Sequence, residues 1–203
     1  MLRSVHRLPK QPTNDPPVLV MLHGRGTDEH DLLGLQEYLD PRFEIHSLRA
    51  PFEYEWGGYT WFRMSDALTP VTEDLQNSLT GIRAFIDALP SKKVFLLGFS
   101  MGAILSYALT LRDASFCRGV AALSGFAPEE LSAKWNVNAL ASLPYFVSHG
   151  TGDPIIPIER ARRTNEILSA TSAIVTYREY PMGHQISAEC LADLNAWFAP
   201  LLA

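Results

Sequence analysis

Apolar residues along this chain fall into two kinds of run. The first is short and unbroken. Val18–Leu22 (VLVML) follows Pro16-Pro17 and stops at His23-Gly24, and Val94–Phe99, Gly119–Ser124, Tyr145–Ser148 and Ile174–Arg178 repeat the form, with Phe43–Leu48 a mixed member. A strand that is apolar at successive positions buries both faces, as a parallel sheet covered by helices on each side demands. The second kind recurs at three and four. Leu75, Leu79, Ile82, Ile86 and Leu89 mark a helix over Thr72–Leu89, with Thr72 as its N-cap and Glu73 and Asp74 in the first turn. Asp31–Leu39, Met101–Leu111, Ile158–Ser169 and Ala188–Phe198 read as further helices, and Val5–Leu8 as an antiparallel edge strand. Alternation of the two kinds predicts the α/β class: a mostly parallel central sheet with helices on both faces, in one domain over residues 1–203. Residues 51–70 (PFEYEWGGYTWFRMSDALTP) fit neither period and read as a long aromatic loop, a pocket wall or a pinned connection.

Composition narrows the function classes. The chain has 203 residues, 47% hydrophobic and 19% charged, with a net charge of −5 and no Lys/Arg-rich run. That excludes a nucleic-acid partner held through phosphates. The N-terminal segment has no signal-peptide core and no run is long enough to span a bilayer, so no stable membrane insertion and a cytoplasmic location are expected. Cys117 and Cys190 are expected as buried thiols rather than a disulfide.

Candidate chemistry starts at GFSMG, residues 98–102, between strand-like VFLLGF and helix-like MGAILSYALTL. This is G-x-S-x-G in its strand–turn–helix setting, the arrangement that lifts a serine hydroxyl to the carboxyl end of a sheet. A serine needs a base to take its proton, and the base needs an acid to orient it. Asp153 in HGTGDPIIP and His184 in GHQIS each follow a strand, in the chain order Ser…Asp…His. His149 is the main competitor for the base. Asp193, inside a helix, and Glu179, too near His184 in sequence, fit less well as the acid. The N–H of Met101, at a helix start, and that of Arg25, in the loop after VLVML, are the candidate oxyanion donors. The Arg25 side chain reads as solvent-facing, with steering of an acidic substrate as the alternative. Trp61, Phe62, Phe126, Ile155 and Ile156 are the candidate pocket wall. No cofactor is implied, and no clustered His/Cys spacing suggests a metal.

The segments LHGRGTDEHDLL (22–33), RAP (49–51), WF (61–62), GFSMG, LSGF (123–126), HGTGDPIIP (149–157) and GHQIS (183–187) together resemble the phospholipase/carboxylesterase family of α/β-hydrolases, which includes acyl-protein thioesterases. The resemblance implies an α/β-hydrolase fold, and the spacing of only about fifty residues between Ser100 and Asp153 leaves no room for a lid domain between them. The resemblance also implies Ser100 as nucleophile, Asp153 as orienting acid, His184 as base, and a small-molecule acyl ester or thioester as substrate. Two positions depart from the thioesterases: Arg25 stands where an apolar residue is usual, and Met101 where Gln is usual. The expected activity is therefore that of a serine carboxylesterase on small to medium acyl esters. A thioesterase, a lysophospholipase, a more distant peptidase, or a non-catalytic binding protein on the same fold are the alternatives.

Overall fold

Seven strands form one sheet, lying side by side in the order 4–7, 44–48, 18–22, 94–99, 119–123, 144–150 and 174–180. The computed structural model describes residues 2–65 and 69–202, so residues 66–68 of the aromatic 51–70 stretch lie outside the described residues. β1 (Ser4–Arg7) runs antiparallel to β3 (Glu44–Leu48) at one edge. Every other pairing in this sheet is parallel, linking β2 (Val18–Leu22), β6 (Val94–Phe99), β7 (Gly119–Leu123), β8 (Pro144–Gly150) and β9 (Ile174–Tyr180). The fold is the expected α/β-hydrolase arrangement.

Period-two geometry explains why β2 is apolar throughout. Val18, Val20 and Leu22 enter one core, while Leu19 and Met21 enter the other. The first core lies under α1 (Thr72–Asp87), α2 (Met101–Arg112) and α3 (Ile158–Ser169). The second lies under α4 (Ala188–Leu201) and a 3₁₀ segment, Asp31–Tyr38. Among the described residues no helix is long and apolar enough to cross a membrane. Cys117 and Cys190 are free and buried, and burial pushes the Cys117 thiol up to about 12.

Three details differ from the sequence expectation. Thr72 is the first helical residue of α1 rather than its cap; Val71 holds the cap position without a side-chain bond. Asp74, expected to serve the helix dipole, is buried and accepts from the Arg63 main-chain N–H, Nε and Nη2 at 3.0, 2.7 and 2.8 Å. Asp31–Tyr38 is 3₁₀, with only Leu32 buried and Gly34 in its middle, so little apolar surface rewards a full α-helix there. Between β7 and β8 the chain carries two 3₁₀ segments, Glu129–Lys134 and Val137–Leu140.

Candidate active site

Sheet order places the first loop of the site. The chain leaves β2 for β3 on one side and returns through β6 on the other, so a crevice opens between the ends of β2 and β6. The loop after β2 carries Arg25, and the turn after β6 carries Ser100. Register pairs Leu22 with Gly98. A Cβ on Gly98 would lie 2.3 Å from the carbonyl oxygen of Gly102, and one on Gly102 would lie 1.9 Å from that of Leu22. Both flanking residues must therefore be glycine for strand, turn and helix to cross this closely. Ser100 itself sits at φ 55°, ψ −115°, a conformation costly for a residue with a Cβ.

Three loops meet at Ser100. The Ser100 hydroxyl donates to His184 Nε2 at 2.9 Å, and His184 Nδ1–H donates to Asp153 Oδ2 at 2.6 Å. The Asp153 side chain is fully buried, with its other oxygen accepting from the N–H groups of Ile155 (2.8 Å) and Ile156 (2.9 Å). Burial alone would raise its pKa. The bonds from His184, Ile156 and Ile155 outweigh that, and the carboxyl stays below its ordinary value. The competing acids are engaged elsewhere: Asp193 accepts from the Tyr180 hydroxyl at 2.8 Å, and Glu179 pairs with Arg162.

His149, the competing base, is buried behind the acid. Its Nε2 lies 2.8 Å from the Ile156 carbonyl and 3.3 Å from Asp153 Oδ2, so the Nε2–H tautomer buttresses the carboxylate. Its Nδ1 has no hydrogen-bond partner among the described residues, and burial lowers its pKa. The sequence signal for this contact is the i, i+4 spacing within HGTGD, legible only once the turn is known.

Sequence reasoning also missed His23. Buried completely, it accepts from the Ala50 N–H at Nε2 (3.1 Å) and donates from Nδ1 to its neighbour's carbonyl, Gly24 O (2.6 Å). Burial lowers its pKa, keeping the ring neutral as this pattern requires. The 23–27 loop is thereby pinned to the end of β3. Within that loop the Arg25 N–H, like that of Met101, makes no hydrogen bond among the described residues. A Cβ on Gly24 would meet Ser100 Cβ at 3.4 Å, so the loop lies against the elbow.

A cavity of about 60 Å³ opens at Ser100, lined by Arg25, Met64, Met101 and Ile104 together with the expected Phe126, Ile155 and Ile156. Trp61 is not part of it. It is 0% exposed, donates from Nε1 to the His23 carbonyl at 2.9 Å and lies in the core, so the expectation of a wall residue is corrected to a pin of the 23–27 loop. Phe62 is likewise buried and lines the next cleft instead, with Arg25, Tyr54 and Met64. The 51–70 stretch is not irregular throughout: β4 (Phe52–Glu53) and β5 (Tyr59–Thr60) form a small hairpin with Trp56 exposed at its tip. Tyr59 ties that hairpin to the loop, through Gly26 N–H to Tyr59 O (2.9 Å) and Tyr59 N–H to Thr27 O (2.8 Å). A separate cleft of about 290 Å³, sharing no lining residue with that cavity, runs along His184, Phe99, Leu35 and Ile186.

Comparison with known proteins bears on the family and the fold. A family model described as Phospholipase/Carboxylesterase matches residues 8–201. Acyl-protein thioesterase 1 of Kluyveromyces lactis is 29% identical over 210 residues, covering 91% of this chain and 92% of that protein. Acyl-protein thioesterase 1 of Debaryomyces hansenii is 36% identical over 108 residues, a match spanning 52% of this chain and about half (47%) of that protein. Among solved structures, the carboxylesterase of Bacillus cereus superposes with a TM-score of 0.88 over 99% of this chain and 95% of that one, and at 24% identity it speaks for the fold alone. On the extent of the family match, the chain belongs to the phospholipase/carboxylesterase family of α/β-hydrolases.

Proposed function

We propose that this hydrolase is a serine carboxylesterase that transfers a short acyl group from an ester to water through Ser100. The observation that carries the reading is the continuous relay from Ser100 Oγ to His184 (2.9 Å) and from His184 to Asp153 (2.6 Å). Ser100 attacks the ester carbonyl while His184 Nε2 takes its proton, and Asp153 holds the imidazole in the matching tautomer. The negative charge on the tetrahedral oxygen is met by the free N–H groups of Arg25 and Met101. His184 then gives its proton to the leaving alcohol, and water repeats the sequence to free Ser100.

The cavity at Ser100 and the cleft along His184 suit different halves of the ester. The cavity of about 60 Å³ has mostly apolar walls and is smaller than the cleft beside His184, which fits a short acyl chain. His184 protonates the leaving group, so the alcohol belongs on its side, where the larger cleft lies. Short-chain acyl esters of bulky alcohols are the preferred class. Match to acyl-protein thioesterase 1 over most of the chain favours a thioesterase as the second reading.

The test compares kcat/KM for 4-nitrophenyl esters from acetate to palmitate beside an acyl thioester of equal chain. The short esters are expected to lead palmitate by about 100-fold, since each excluded methylene costs binding. Ser100→Ala and His184→Ala are each expected to lower kcat by about 10⁴–10⁶. Ester turnover retained in Ser100→Ala rejects Ser100 as the nucleophile, and a wild type that neither turns over esters nor is labelled by a fluorophosphonate rejects the assignment in favour of a binding protein. A thioester preferred over its ester moves the assignment to the second reading.

A further inference from the structure

β1 and β3 bring together three metal-ligating side chains that take no part in the site at Ser100. His6 and His46 are cross-strand partners in the antiparallel pair. Glu44 lies two residues before His46 and so projects from the same face of the sheet. The two imidazoles are parallel, with centroids 4.4 Å apart and planes within 4°. Both present Nε2 to one carboxylate oxygen, Glu44 Oε1, at 2.8 Å from His6 and 3.1 Å from His46. The three ligand atoms lie within 4.8 Å of one another. His46 is fixed by an edge contact with Phe85, ring centroids 5.6 Å apart, while the His6 side chain is 45% exposed. One wall of the group is therefore built and the other is open to water.

We propose that His6, Glu44 and His46 form a site for a zinc-class divalent cation. Two imidazole nitrogens and one carboxylate are the donor set of Zn²⁺ and its late first-row neighbours, whereas Mg²⁺ and Ca²⁺ take oxygen ligands. Bonds of about 2.0–2.2 Å in a tetrahedron set neighbouring donors about 3.3 Å apart. The observed nitrogen–oxygen separations open to that by a few tenths of an ångström, a movement the exposed His6 ring can make. Each imidazole would bind through Nε2 in the tautomer that carries its proton on Nδ1, so loading replaces the hydrogen bonds to Glu44 with bonds to the ion. Water completes the fourth position.

The site would act as a clamp. β1 has four residues, half of them exposed, and pairs with β3 alone. A cation joining His6 to Glu44 and His46 ties it to β3 through side chains as well as main chain. Because 38 residues separate His6 from Glu44, no local spacing announces the group.

The experiment titrates Zn²⁺ into untagged, metal-stripped protein by calorimetry, in a His184→Ala background so that the imidazole–carboxylate pair at Ser100 does not compete. One ion per chain is expected, with Mg²⁺ giving no heat. His6→Ala and Glu44→Gln are each expected to weaken binding at least about tenfold, the scale on which metal sites respond to a lost supporting group. Zinc is also expected to raise Tm and to slow amide exchange of residues 4–7 in the parent and not in His6→Ala. The proposal is overturned if His6→Ala and Glu44→Gln bind Zn²⁺ as the parent does, if no binding occurs below about 1 mM, or if Mg²⁺ binds equally well.

Discussion

Asp153 is held by two histidines and two main-chain N–H groups, and each limits what a substitution there does. Asp153→Asn keeps the shape and the acceptor toward Ile155 and Ile156. Its amide would face His184 Nδ1 with a donor instead of an acceptor, so the imidazole turns to the tautomer that carries its proton on Nε2 and no longer accepts from Ser100. A fall in kcat of about 10⁴ is expected with the fold retained. Steady-state kinetics on 4-nitrophenyl butyrate beside a thermal melt checks this, and a kcat within tenfold of wild type would contradict it. Arg25 predicts the opposite. Its guanidinium lies over the Tyr54 ring, 5.4 Å from the centroid, while the proposed donor is its main-chain N–H. Arg25→Leu is expected to hold kcat on a neutral ester within about threefold, against the 10²–10³ lost when a donor itself is removed. The residues of this relay were legible in the sequence because the elbow motif dictates what must follow it. His23 and His149 were not, since a histidine beside a glycine carries no mark of the partner that distant chain will bring. Trp61 shows the converse: an aromatic in a long loop reads equally as a pocket wall and as a pin, and only burial decides.

At the level of elements, crossing distances rather than propensities fix the site. α2 packs so closely on β2 and β6 that Gly98 and Gly102 leave no room for a methyl group. Gly102→Ala would place its Cβ 1.9 Å from a main-chain oxygen, which no rotamer relieves, so helix and strand must part. A loss of about 3 kcal/mol is expected, at the upper end of overpacking costs, with kcat falling as Met101 N–H and Ser100 move apart. Urea unfolding measures the first and active-site titration the second. Unchanged stability would show that the crossing is looser than the structure has it. Strands were the most legible elements, because an unbroken run such as VLVML has few other places to go. The 3₁₀ segment Asp31–Tyr38 looks helical in sequence because leucines at 32, 33 and 35 imitate an apolar face that tertiary packing only partly uses. The β4–β5 hairpin escaped notice because two-residue strands are too short to show a period. Their pairing is upheld by the 23–27 loop on which they rest.

Across the whole molecule, groups of two kinds make stability depend on pH, and they act in separate windows. His23 and His149 are buried neutral, and burial holds both below the ordinary 6.5. Between the folded and unfolded values the unfolded chain binds more protons, so their contribution is complete above pH 6.5 and is lost as the pH falls below it. Glu179 and Asp113 are both lowered to about 2, Glu179 first by Arg162 and Asp113 first by Ser115 and then Arg83, from ordinary values of 4.5 and 3.8. Their contribution is complete above pH 4.5 and is lost as the pH falls toward 2. A urea midpoint plotted against pH is therefore expected to be level above about 7, to decline below 6.5 and to steepen below 4.5. Salt separates the two declines. The Arg162–Glu179 pair is partly exposed, at 53% and 26%, and so is screened, whereas the histidines are sealed in the core. Glu179→Gln is expected to shallow the lower decline alone, and 0.5 M NaCl, with a Debye length of about 4 Å, to do the same in the wild type. If salt instead flattens the decline near pH 6, that step comes from exposed ion pairs, and the buried neutral histidines are not what anchors the loops around Ser100.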